Sequence, residues 1–144
     1  IKERFAKIFI LEYNSVFGPS LEVSVPDIED FSREEYHYSN LCYGASLKAY
    51  IKLMDQKGYY LLGVNRLRNN AFFINKEFSK DLFFPNISEL DLCELTNANF
   101  SESRNKSKNL SYLPHKEQIN EIIDCEVENL KDNKKLKIKN LIHN

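Results

Sequence analysis

Glycine is scarce in this chain. Only Gly18, Gly44, Gly58 and Gly63 occur in 144 residues, and no two are spaced as G-x-G or G-x-x-x-x-G-K. A phosphate-cradling loop built on glycine is therefore excluded from these residues. Cysteine is sparse too. Cys42, Cys93 and Cys125 are odd in number, far apart in sequence, and match neither a zinc spacing nor a C-x-x-C pair. Reduced, partly buried thiols of a cytoplasmic protein are the expectation. His37, His115 and His143 are equally scattered, so no metal site is visible. No apolar run approaches the roughly 20 residues of a membrane span. An excess of charge of one sign is also missing, with 20 basic against 21 acidic residues. Neither nucleic acid nor an anionic membrane is expected as a partner.

What is present is ordinary globular composition, 42% hydrophobic and 28% charged. That is one domain's worth of chain with enough apolar residues for a core. The chain opens at Ile1, not Met, and runs almost directly into an apolar stretch. It is expected to be processed or to be a piece of something longer.

The run Ile8-Phe9-Ile10-Leu11 is continuously apolar, which fits a strand buried on both faces, as in a parallel sheet. It stops abruptly at Glu12-Tyr13-Asn14. Ligands of open parallel sheets bind just beyond the carboxyl ends of strands. Glu12 and Asn14 are thus candidates for chemistry; the plainer reading is that Glu12 accepts backbone bonds in the loop that follows. Ser15 to Tyr43 is long and irregular, a length typical of binding loops. Tyr36, His37, Tyr38 and Tyr43 crowd its end and could form an aromatic wall with polar tips, or simply pack the loop onto the sheet.

Gly44 to Lys57 carries helix signals. Ser46 can cap the start, Leu47, Ile51 and Met54 form a stripe, and Gly58 suits a left-handed end. Tyr59–Asn65 and Asn70–Asn75 read as strands joined by a hairpin-short turn, hence antiparallel. The helix between the first two strands implies a right-handed βαβ unit. A short helical segment is expected around Glu77 to Leu82. Beyond Phe83 the pattern weakens, and Asn97 to Ser111 reads as loop. Lys116 to Asp124 suggests a weak helix, and Cys125–Asn129 with Lys135–Lys139 a hairpin around Asp132-Asn133. Lys134, Lys135, Lys137 and Lys139 alternate with Leu136 and Ile138, as on the solvated face of an edge strand.

The strings KIFILEYNSVFGPSLEVSVP, CYGASLKAYIKLMDQKGYYLLGVN and NNAFFIN resemble the C-terminal half of class I S-adenosylmethionine-dependent methyltransferases, in particular the bacterial FkbM-like group found near sugar and polysaccharide genes. FSESRNKSKNLSYLPHKEQINEI is similar to the C-terminal extension of those proteins. The resemblance covers most of the chain and is strongest from Lys7 to Asn75. It implies an α/β fold: a partial Rossmann-like methyltransferase sheet over residues 1–82 (strand, long loop, helix, strand, antiparallel strand), with a small α+β C-terminal extension over 83–144. The family's glycine-rich cofactor loop has no counterpart here. The implied function is the acceptor side of a methyltransferase, inactive alone, acting on a small-molecule or saccharide acceptor. S-adenosylmethionine is implied as cofactor of the longer protein and is not expected to bind this chain alone. Glu12 would be the catalytic base or orienter, with His37 as the other base candidate. Asn14, Tyr38, Tyr43, Ser46, Asn65 and Asn70 would position the acceptor. The partner would be a missing N-terminal half, or a second copy joined through an exposed sheet edge. The alternative is a non-catalytic binding or interaction module derived from such a fold.

Overall fold

The computed structural model describes residues 6–79, 89–98 and 102–142. The chain is a mixed α/β protein with small antiparallel sheets and, among the described residues, five helices. In order these are β1 (Ile8–Glu12), β2 (Val23–Ser24), α1 (Arg33–Tyr36), α2 (Leu47–Gln56), β3 (Tyr59–Val64), β4 (Asn70–Asn75), α3 (Glu89–Thr96), β5 (Ser103–Arg104), β6 (Leu110–Ser111), α4 (His115–Glu121), β7 (Glu126–Asn129), β8 (Lys134–Lys137) and α5 (Lys139–Ile142).

α2 forms where its signals put it. The Ser46 hydroxyl accepts from Ala49 N at 3.2 Å, and Gly58 closes the helix at φ +80°. Leu47 and Met54 are buried, with Tyr50 and Ile51 beside them against the sheet, while Lys52, Asp55 and Gln56 face water. The turn between β3 and β4 is built on Asn65, whose Oδ1 accepts from Asn69 N at 3.1 Å and Asn70 N at 3.0 Å. The turn is too short for anything but an antiparallel return.

Two expectations about β1 are corrected. The first sheet has the order β1-β4-β3 with both pairs antiparallel. β1 and β3 therefore run in the same direction and are linked through α2, but β4 lies between them, so no parallel pair forms. Nor is β1 buried on both faces. Phe9 and Leu11 pack under α2, while Ile8 and Ile10 are 51% and 60% exposed. Among the described residues the helices cover one face of the sheet, and side chains alternate along a strand.

The second sheet, β2-β7-β8, is antiparallel throughout. Its core joins Val16, Phe17, Val23, Leu41 and Cys42 to Ile122, Cys125, Val127 and Ile138. These residues lie on both sides of position 82, so the long loop and the C-terminal segment share one apolar interior. β7 and β8 form the expected hairpin, but its second strand is Lys134–Lys137 rather than Lys135–Lys139, and Lys139 opens α5 instead of continuing the edge. Lys134, Lys135 and Lys137 are exposed on the edge strand, and Ile138 is buried.

Three further differences have simple causes. The helix expected at Glu77–Leu82 is a 3-10 turn over Lys76–Ser79 in its described part; 80–82 lie outside the described residues. α3 lies where the sequence pattern is weak; Leu92 and Leu95 are the packed residues among its described side chains. β5 and β6 lie in the expected loop. Strands of two residues carry no periodicity, and this pair is held by the Ser103 hydroxyl donating to Ser111 O at 2.7 Å.

Candidate functional site

The carboxyl ends of β1 and β3 share one rim of the first sheet. Glu12 sits on it, exposed, directly opposite Asn70 across the β1–β4 ladder. Tyr13 N donates to Asn69 O at 2.8 Å, which ties the end of β1 to the hairpin turn. Tyr43 reaches the same rim from the far end of the long loop. Burial pushes its phenol up in pKa, the Arg33 guanidinium opposes this, and the charge of Glu12 adds to it. Arg33 stacks 4.0 Å over the Tyr43 ring. Tyr50 of α2 is raised by burial first and by Glu12 second. The rim thus carries one exposed carboxylate and the Asn70 amide, with the Tyr43 and Tyr50 phenols near enough to feel the Glu12 charge; the Arg33 guanidinium over Tyr43 is itself engaged, its Nε and Nη2 donating to Asn40 O at 3.0 and 2.6 Å. Such a set can accept a proton from a hydroxyl and hydrogen-bond a polar ligand.

Glu12, Tyr43 and Asn70 are the sequence-derived candidates brought together here. Asn65 stands beside them, its Nδ2 donating to Asn69 Oδ1 at 2.7 Å; Asn70 Nδ2 donates to the same oxygen at 3.1 Å, so both amides are partly engaged within the turn. Asn14 and Ser46 are fully buried and act on the backbone. Asn14 donates to Leu41 O at 2.7 Å and Tyr43 O at 3.0 Å. The Ser46 hydroxyl accepts from Val23 N and Ala49 N, both at 3.2 Å. These two residues shape the rim without facing it.

His37 and Tyr38 lie in a different place. Their rings stack at 4.4 Å, His37 Nδ1 meets the Ser39 hydroxyl at 2.7 Å, and the Tyr38 hydroxyl donates to the Glu121 carboxylate. That bond is the main cause that pushes Tyr38 up to about 12. Burial holds His37 below its ordinary pKa, and the carboxylate acting on it is Glu121, not Glu12. The two base candidates therefore do not face one another. Tyr38 instead lines a cleft of about 330 Å³ with Glu34, Asn40, Arg104 and Lys108. The aromatic cluster at the loop end largely fastens the loop, as when the Tyr36 hydroxyl donates to Glu126 O at 2.6 Å.

Sequence reasoning missed Arg33 and Tyr50 at the rim. Ten residues separate Arg33 from Tyr43 in an irregular loop, and Tyr50 reads as part of a helix stripe, so no spacing signals either.

A Cβ added at Gly18, Gly44 or Gly63 would meet nothing within 4 Å; their positive φ values of +66°, +58° and +152°, not packing, are what favours glycine there. Among the described residues no group of three or more His, Cys, Asp or Glu could hold a metal ion, and no helix is long and apolar enough to cross a membrane. No family model, no curated protein and no solved structure matches the chain.

Proposed function

We propose that this chain forms the acceptor-binding side of an S-adenosylmethionine-dependent methyltransferase, with the cofactor-binding half supplied outside these residues. The observation that carries the reading is the strand arrangement. β1 and β3 run one way, α2 joins them, and β4 returns antiparallel, so the carboxyl ends of two co-directional strands share the rim that holds Glu12, Tyr43 and Asn70. Ligands of open α/β sheets bind at such a rim. A reversed last strand is also what the FkbM-like resemblance implies. Among the described residues no strand pairs with the second edge of β1, which leaves room for the sheet to continue.

In this reading Glu12 takes the proton of an acceptor hydroxyl, and Tyr43 and Asn70 orient that hydroxyl. A saccharide or another small polyhydroxylated molecule suits a rim made mostly of neutral donors and acceptors. The reading carries a bacterial, cytoplasmic setting with it. A non-catalytic interaction module is the second reading, favoured by the uncovered apolar face of the first sheet.

The coding DNA immediately upstream of the Ile1 codon tests the proposal. An in-frame strand followed by a G-x-G loop is expected, and a start codon directly before Ile1 overturns the reading. In the assembled enzyme, Glu12→Gln should lower kcat by about 10²-fold or more with cofactor affinity nearly unchanged. Unchanged turnover removes Glu12 from the mechanism. Calorimetry of this chain with S-adenosylmethionine should detect no binding; micromolar affinity would show that the cofactor site is misplaced.

A further inference from the structure

Among the described residues, helices cover one side of the first sheet. Phe9, Leu11 and Phe73 pack toward α2 and α3, while the opposite face carries Ile8, Ile10, Phe72, Ile74, Tyr60 and Leu62. The ladder registers set Ile8 beside Ile74, Ile74 beside Tyr60, and Ile10 beside Phe72, so these side chains form one continuous surface. Tyr60 and Leu62 are 43% and 42% exposed, in addition to the more open Ile8 and Ile10. Contiguous apolar surface of this kind marks an interaction site.

We propose that a second copy of this chain covers the face, the two sheets packing face to face about a two-fold axis with their strands antiparallel. The inference rests on the second reading, an interaction module, and competes with the methyl-transfer reading, because the dimer would engage the Glu12 carboxylate. Two observations select a second copy. The first is area. Four side chains about half exposed, with two half-buried ones between them, offer on the order of 500 Å² per copy, so a pair reaches the roughly 1,000 Å² of the smallest specific interfaces. The second is charge. One end of the face carries Lys76, which lies 4.5 Å over the Tyr60 ring and is also held by Asp55. The other end carries the exposed carboxylate of Glu12. A two-fold axis that reverses the strands sets Lys76 of each copy over Glu12 of the other, whereas a parallel stack would set like charges together. Both faces are apolar in the middle, which suits the aligned packing of two sheets.

Sedimentation equilibrium on the purified chain tests the proposal. A dimer with a micromolar or tighter dissociation constant is expected. Ile10→Lys should raise that constant by about tenfold or more. Leu62→Lys should act in the same direction and serves if the first variant fails to fold, which far-UV circular dichroism reports. Glu12→Lys should weaken the dimer, and adding Lys76→Glu together with Asp55→Asn, which removes the carboxylate beside position 76, should restore it. A chain that stays monomeric, a dimer indifferent to both apolar-face variants, or open-ended association overturns the proposal. Failure of the charge exchange to restore the dimer overturns the antiparallel arrangement.

Discussion

The side-chain amide of Asn14 donates to the carbonyl of Leu41 at 2.7 Å across 27 residues of loop. The same group donates to Tyr43 O at 3.0 Å, and its Oδ1 accepts from Val16 N at 3.0 Å. One buried side chain therefore closes the long loop onto the end of β1 and caps the 3-10 turn Ser15–Phe17. Asn14→Ala would leave two carbonyls and one N–H without their side-chain partner at a fully buried position. A loss of about 2–4 kcal/mol is expected in urea unfolding. Asn14→Asp should be no better, because a carboxylate would face two carbonyl oxygens. A loss below about 0.5 kcal/mol for Asn14→Ala would mean that the loop closes by other means.

Ser46 makes a comparable link by a different route. Its hydroxyl caps α2 and also accepts from Val23 N, so the helix start is tied to β2. Val23 belongs to the second core and Leu47 to the first. Ser46→Ala should cost about 1–2 kcal/mol, at the upper end of cap substitutions, since two donors lose a partner. Unfolding followed separately by near-UV and far-UV signals should stay coincident if the link merely adds stability. Separate transitions in the variant would show that Ser46 couples the two cores.

These two residues mark how far the sequence could be read. Ser46 stood before an apolar stripe with Gly58 behind it, and a helix boundary of that kind is local. The β3–β4 hairpin was legible for the same reason, because a short turn permits one return. The β7–β8 hairpin and its lysine edge also followed from alternation alone. What escaped was non-local. Whether the apolar run Ile8–Leu11 has one neighbour or two, and helices on one face or both, depends on elements far along the chain. The role of Asn14 was hidden because its partners lie 27 and 29 residues away. At the rim, Glu12 was visible at the end of a strand, but Arg33 and Tyr50 arrive there by folding.

Two histidines give the protein a defined response to acid. Burial holds both His37 and His115 below the ordinary histidine value of 6.5; Glu121 partly opposes this at His37, and the neighbouring Gln118 side chain does so at His115. The unfolded chain binds protons in this range that the folded chain does not. Stability is therefore complete above the unfolded pKa and falls as pH drops through it toward the lowered folded values. Asp124, held down mainly by its hydrogen bond with Lys139, adds a smaller loss only at lower pH still. The thermal midpoint should decline between about pH 7 and about pH 5. The double variant His37→Gln/His115→Gln should flatten that decline. An unaltered slope in the double variant would assign the acid sensitivity to other groups.

The cysteines separate into one accessible thiol and two enclosed ones. All three are free, with Cys93 exposed on α3 and Cys42 and Cys125 buried in the second core. The neighbouring Cys125 thiol and then burial push Cys42 up in pKa, while Cys42 pulls Cys125 down against its own burial. Ile122, Val127 and Ile138 share the buried core with the pair. Access rather than nucleophilicity then decides the outcome. An aromatic disulfide reagent should titrate one thiol rapidly and the other two only on global opening, on the order of 10³-fold slower or more. Cys93→Ser should abolish the rapid phase. Rapid reaction of two or three thiols in the wild-type chain would mean that the second core opens locally, without the rest of the fold.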